Sequence, residues 1–230
     1  MTESSPVTYD LVDSIATITM DDGKANVMSE PMQHALNAAL DRAEADGAVV
    51  LLTGRTRIFS GGYDVSMFER SRDEIARTLR AGGGLVERIL GFPRPVVAAC
   101  NGHAVAQGAF LLLAADVRIG AAGAFKIGLN EVAIGLTIPY YGVEIARLRL
   151  SPPWFNHATT TGTLYPPDQA LVAGFLDRVV DQADALTVAR EEAVRLTKLD
   201  INAHAGTKQR VRGHALATIH EGIESEFAVA

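Results

Sequence analysis

Two short runs without a charged residue, Ala48 to Thr53 and Val96 to Cys100, constrain the 230-residue chain more than any other feature. Both are continuous in polarity rather than alternating, the pattern of a strand covered on both faces, as in a parallel sheet. Each runs on into a glycine-containing loop that feeds a helix-prone stretch. The loops are Ile58-Phe59-Ser60-Gly61-Gly62-Tyr63-Asp64 and Asn101-Gly102-His103-Ala104-Val105-Ala106-Gln107-Gly108. This layout predicts an α/β domain with helices packed over a buried sheet. In such sheets ligands gather outside the carboxyl ends of the strands. Free N–H groups at the helix starts there can bind an anion or a developing oxyanion. Glycine lets a ligand come close to the backbone. One such loop is an ordinary strand-to-helix turn; two leave both readings open.

The remaining elements follow from periodicity and punctuation. Val7 to Leu11 and Ile15 to Met20 read as a hairpin. Ser29 caps a helix whose apolar residues Met32, Leu36, Ala39, Leu40 and Ala43 keep helical spacing until Gly47. A polar helical stretch from Ser71 to Leu90 is interrupted by Gly82-Gly83-Gly84, expected to be a flexible break or a close helix crossing. Asp116 to Ile119, Ala124 to Ile127 and Phe175 to Val180 read as short strands. Tyr141 to Leu150 reads as helix, and Ser151-Pro152-Pro153 and Pro166-Pro167 as helix starts. The last fifty residues are mostly helical. Residues 1–180 are therefore expected to form the core and 181–230 a helical appendage. No long-period repeat is visible in the residues.

Charge and composition narrow the function classes. Twenty-one Lys and Arg against 27 Asp and Glu give a net charge of −6, unlike a dedicated nucleic-acid or anionic-membrane protein. The single cysteine, Cys100, excludes an intrachain disulfide framework and a multi-cysteine zinc site, and no histidine pair has metal-ligand spacing. Cys100 reads as an inert core thiol and His103 as a structural loop histidine. The richest apolar run, Ala104 to Ala115, contains Gln107 and is too short for a bilayer. The polar start Met1-Thr2-Glu3-Ser4-Ser5 does not resemble a targeting peptide, so a cytoplasmic protein is expected. Glu131 is the one acid that draws notice, as the only ionised side chain between Lys126 and Glu144. A carboxylate in apolar surroundings has a raised pKa and can shuttle a proton near neutral pH. Alone, it would equally be a solvent-facing residue on a turn.

In order, these motifs resemble the enoyl-CoA hydratase/isomerase (crotonase) superfamily. The resemblance rests on Phe59-Ser60-Gly61-Gly62-Tyr63-Asp64, Pro93-Arg94-Pro95-Val96-Val97-Ala98-Ala99-Cys100-Asn101-Gly102, Ala115-Asp116-Val117-Arg118-Ile119 and Gly128-Leu129-Asn130-Glu131. Lys24-Ala25-Asn26 resembles the family's early CoA-contacting segment. The resemblance implies a spiral core of repeated ββα units with a C-terminal helical trimerisation region, assembled as a homotrimer or a hexamer. It also implies an acyl-CoA thioester substrate and no metal or redox cofactor. By position, the backbone N–H groups of Tyr63 and Gln107 would hold the thioester oxygen, and Glu131 would be the acid/base. Lys24, Ala25, Gly61, Gly62, Asp64, Gly108 and Phe110 would line or bind the substrate. Lys24 and Lys208 are candidates for gripping the CoA phosphates.

The hydratases of the family use two glutamates; the first position falls here on Phe110, which can neither activate water nor donate a proton. A single acid suits the shift of a double bond. Ile127-Gly128-Leu129-Asn130-Glu131, Leu164-Tyr165-Pro166-Pro167-Asp168-Gln169-Ala170 and Pro139-Tyr140-Tyr141 likewise resemble the Δ3,Δ2-enoyl-CoA isomerases more than the hydratases. The aromatic pair at 140–141 is equally consistent with core packing. Two other readings stay open: a 2-enoyl-CoA hydratase in which another acid, Asp64 being the nearest in sequence, or an ordered water replaces the missing glutamate, and a non-catalytic acyl-CoA-binding protein.

Overall fold

The computed structural model of the chain describes residues 5–228. Strands β1 (Val7–Val12) and β2 (Ile15–Met20) form the expected antiparallel hairpin, followed by α1 (Glu30–Ala45). Ser29 caps α1 by accepting the Met32 N–H, as its side chain is suited to do. Three ββα units come next. They are β3 (Val49–Gly54), β4 (Arg57–Ser60) and α2 (Arg72–Gly91); β5 (Val96–Cys100), β6 (Gly102–Val105) and α3 (Gln107–Ala114); and β7 (Val117–Ala121), β8 (Ile127–Gly128) and α4 (Tyr140–Arg149). The chain continues through α5 (Pro152–Thr160), β9 (Leu164–Tyr165), α6 (Pro167–Ala173) and β10 (Arg178–Val180) to α7 (Ala185–Leu196) and α8 (Ile201–Glu226).

The first strand of each unit enters a six-stranded sheet of order β1-β2-β3-β5-β7-β10, in which β2, β3, β5, β7 and β10 run parallel. The second strand enters a four-stranded sheet of order β4-β6-β8-β9. Each unit thus turns from one sheet to the other before its helix, and the units spiral. No residue repeat accompanies this repetition, because small side chains such as Gly102 and Ala104 suffice for four-residue strands. The same shortness explains why residues 57–60 and 102–105, expected as loop, are strands.

α2 is continuous through Gly82-Gly83-Gly84, so no flexible break exists there. The Ser71–Glu74 capping box starts it. Gly82 and Gly83 are buried where other elements cross, in keeping with the alternative expectation. α7 packs Ala189, Ala193 and Leu196 on Ile15, Val49, Leu51, Val97, Ala99 and Ile119 of the large sheet. α8 lies along α2 and α4 and is tied down by buried charge. Asp116 accepts hydrogen bonds from Lys208 Nζ at 2.8 Å and the Val96 N–H at 2.7 Å and forms an ion pair with Arg212 Nη1 at 2.8 Å. Lys208 also donates to Phe92 O, and Arg212 to Leu90 O, each at 2.9 Å. Lys208, a candidate for a CoA phosphate, is therefore spent on the fold: only 7% of it is exposed.

Candidate active site

The two glycine-containing loops meet. Gly61 donates its N–H to Ala25 O at 2.8 Å, which seats the Lys24-Ala25-Asn26 segment against the first loop. Asn26 fastens it by donating to Met20 O at 2.9 Å and Phe59 O at 3.2 Å. Gly62 has φ +86°, and a Cβ there would lie 2.9 Å from Val105 O, 3.0 Å from Ala106 Cβ and 3.4 Å from Gln107 N. Only glycine combines that dihedral with so close an approach. Gly108 rests on the Ser60 backbone, joining the second loop to the end of β4.

Ala106 enters α3 with φ +51° and ψ −122° and gives it no side-chain cap. A non-glycine residue in that region carries about 1–3 kcal/mol of strain. Gln107 is the first residue of α3, where an amide has no intrahelical acceptor. Among the described residues, the N–H groups of Tyr63 and Gln107 donate to no protein oxygen. The apolar helix α3, buried at every residue, directs the positive end of its dipole at this point.

Between the loops lies a cavity of about 210 Å³. Gly61, Tyr63, Ala106, Phe110 and Glu131 line it, together with apolar residues that include Phe68, Leu79 and Leu136. Glu131 directly precedes a short 3-10 turn, Val132–Ile134. It is 7% exposed, and its Oε2 has no hydrogen-bond partner among the described residues. Burial pushes its carboxyl up from 4.5 to about 7, the range in which one group can take and return a proton near neutrality. Phe110, 1% exposed, packs edge-on against Tyr141 at 5.7 Å between ring centroids. Tyr141 lines the cavity and is fully buried, so the aromatic pair splits: Tyr141 packs in the site and Tyr140 is exposed.

The other predicted residues fall outside. Asp64 is on the surface, where its Oδ1 accepts from Ser66 N at 3.0 Å and Ser66 Oγ at 2.9 Å. It caps the 3-10 turn Val65–Glu69 and does not line the cavity. These bonds hold its carboxyl below the usual carboxylate range, so it is no substitute for a buried second acid. Lys24 is exposed and near enough to Asp64 to contribute to that lowering. His103 accepts from the Lys126 N–H at 3.0 Å and stacks edge-on against Phe125. Burial pushes the Cys100 thiol up to about 12.

Three contributors were not foreseen. Gly82 of α2 packs against the Tyr63 hydroxyl and the Gln107 amide; the glycine run in an amphipathic helix was its only trace. Glu226 and Phe227, almost a hundred residues beyond Glu131, line the cavity from the end of α8. Glu226 is exposed and accepts the Tyr140 N–H at 2.8 Å, which caps α4. No local pattern marks either residue, because only the docking of α8 brings them here.

Similarity to known proteins agrees with this geometry. The family model described as enoyl-CoA hydratase/isomerase matches residues 10–229. A putative enoyl-CoA hydratase of Thermus thermophilus is 32% identical over 224 residues, 94% of this chain and 86% of that one. A Mycobacterium tuberculosis protein is 44% identical, with a TM-score of 0.93 over 96% of this chain and 97% of its own; one structure of it is described as an enoyl-CoA isomerase and another as a probable hydratase. Human mitochondrial Δ3,Δ2-enoyl-CoA isomerase is 25% identical, with a TM-score of 0.88 over 97% of this chain and 92% of that one. The chain belongs to the enoyl-CoA hydratase/isomerase (crotonase) family.

Proposed function

We propose that the protein shifts the double bond of a 3-enoyl-CoA thioester to give the trans-2-enoyl-CoA. The observation that carries this reading is the pairing, across one largely apolar cavity, of a buried Glu131 with Phe110 at the position of the family's second acid; the other acid on the wall, Glu226, is exposed and bonded to the Tyr140 N–H. The thioester oxygen lies on the N–H groups of Tyr63 and Gln107. Glu131 takes the proton from C2, and the C–H electron pair moves into the dienolate, whose negative charge rests on that oxygen. The electrons then return through C2=C3, and C4 takes the proton back from Glu131. Two preorganised donors of this kind are worth about 3–4 kcal/mol each at the transition state. The apolar wall keeps water from the dienolate. The electron pair stays within the acyl chain, so the reaction needs no redox cofactor. The isomerase descriptions of the mycobacterial and human relatives support the reading.

Residues 181–230, in which Val194, Leu199 and Val211 are exposed, are assigned to assembly as a homotrimer or hexamer. Lys24 is assigned to the CoA phosphates. Among the described residues no helix is long and apolar enough to cross a membrane and no cluster of acidic, His and Cys side chains could hold a metal ion; a cytoplasmic site of action fits a CoA substrate.

The test is to incubate the protein with 2-enoyl- and 3-enoyl-CoA esters of several lengths and identify products by mass and retention. Isomerisation that Glu131→Gln abolishes, with ester binding kept, is expected. Efficient hydration of 2-enoyl-CoA without isomerisation of 3-enoyl-CoA overturns the proposal.

A further inference from the structure

Both residues assigned to the oxyanion pair have side chains that converge on the same spot. Gln107 is 1% exposed, and its amide is held at both ends: Nε2 donates to Gly82 O at 2.8 Å, and Oε1 accepts from Tyr141 Oη at 2.8 Å. The Tyr63 hydroxyl lies at the same position of α2. A Cβ on Gly82 would fall 1.8 Å from the Tyr63 Oη and 3.0 Å from Gln107 Nε2. Gly82 thus leaves room for both side chains in the middle of a helix, where glycine otherwise costs about 1 kcal/mol relative to alanine.

This fastening matters because the turn it secures is strained. Ala106 holds a left-handed φ, and no side chain caps α3. Within α3, a peptide flip at Ala106 that would turn the Gln107 N–H away is opposed by the Ala106 carbonyl alone, which accepts from the Ala109 and Phe110 N–H groups at 2.8 and 3.1 Å. The Gln107 side chain adds a second restraint from outside, by tying the first residue of α3 to α2 and α4. A buried amide with both ends satisfied has one low-energy placement, since any rotation leaves a buried donor or acceptor unpaired.

We propose that the Gln107 side chain, clamped between Gly82 O and the Tyr141 hydroxyl, is a positioning device for the oxyanion pair. Together with the helical bonds to the Ala106 carbonyl it fixes the direction of the Gln107 N–H, and Tyr141 acts through it without touching substrate. The inference rests on the proposed role of the two N–H groups but not on which enoyl-CoA reaction they serve.

The experiment compares wild type with Tyr141→Phe and Gln107→Met, using as probe 3-phenylpropenoyl-CoA, which has no C4 hydrogen and cannot isomerise, with its spectrum read on mixing before any hydration. Polarisation of its conjugated carbonyl by the N–H pair is read as a red shift of its absorption and a lowered carbonyl stretching frequency. The expected result is that both variants stay folded and bind the probe, with the red shift at least halved. On 3-enoyl-CoA, kcat falls about tenfold with KM little changed, the cost of a displaced donor. The double variant should be no worse than Gln107→Met alone, because both changes open one clamp. An unaltered probe spectrum in folded Tyr141→Phe overturns the proposal, as does a kcat loss matched by lost folded protein. Failure of both variants to fold assigns the clamp to stability and likewise overturns it. A wild-type red shift without any isomerisation would count against the proposed reaction and leave the positioning role standing. No red shift in wild type removes the oxyanion pair and this inference with it.

Discussion

Replacing Glu131 by glutamine should remove the activity and shift stability in favour of the variant as pH rises. Below pH 4.5 the carboxyl is protonated in the folded and the unfolded chain alike, and it sets no pH dependence. As pH rises from 4.5 to about 7 the unfolded chain gives up this proton and the buried carboxyl keeps it, so wild-type stability falls across that window. Above about 7 the folded chain carries the full cost of a buried carboxylate. A rise from 4.5 to about 7, at about 1.4 kcal/mol for each pH unit, amounts to about 3 kcal/mol. Glutamine does not ionise, so Glu131→Gln escapes this penalty. Whatever its amide costs in packing or unmet hydrogen bonds is the same at every pH. The assay is urea unfolding of both proteins at matched concentration, at about pH 5 and about pH 8.5. Part of the penalty is already present at pH 5, so the stability difference should move by about 2.5 kcal/mol in favour of the variant between those points. A difference independent of pH would show that Glu131 ionises like an exposed carboxylate, and would refute the reasoning that makes it a base tuned by burial.

The same carboxyl should govern the rate. Because Glu131 must be ionised to take the C2 proton, kcat/KM for a 3-enoyl-CoA should rise with pH through a single limb centred near 7. A bell-shaped profile with a second group near neutrality would instead indicate a second working acid. At the fold's charged anchor, Asp116→Ala leaves Lys208 and Arg212 buried without their carboxylate. It should cost about 3–5 kcal/mol in urea unfolding near neutral pH. Lys208→Met should lower stability and leave KM for the CoA ester unchanged; a raised KM would return Lys208 to the CoA site.

Much of the site was legible because each part depends on local chain chemistry. Gly61, Gly62 and Gly108 announce backbone that must approach something closely, and the structure finds Ala25, Ala106 and Ser60 there. Glu131 stands out as an acid isolated among apolar neighbours, and Phe110 as an apolar residue where an acid was expected. Lys208 misled because an isolated lysine has the same sequence appearance on a surface as in a buried ion pair; its partner Asp116 is 92 residues away. Asp64 sits beside Tyr63 in sequence yet is exposed and caps a turn, since one residue of extended chain is enough to point a side chain away from the cavity. The second sheet escaped notice because strands of two to four residues carry too few side chains to show a period.

The linear pattern of the chain by itself determined an α/β fold, two buried strands ending in glycine-bearing loops, and one acid in an apolar setting. Those are properties of near neighbours in sequence, set by side-chain polarity and backbone freedom. Only the tertiary structure decided that the loops meet and that Glu131 is buried enough to hold its proton to about pH 7. Only it placed Phe227 on the cavity wall and Gln107 in a clamp between Gly82 and Tyr141. Proximity across 25 to 96 residues is fixed by how sheets and helices stack to exclude water, and that is a property of the packed whole.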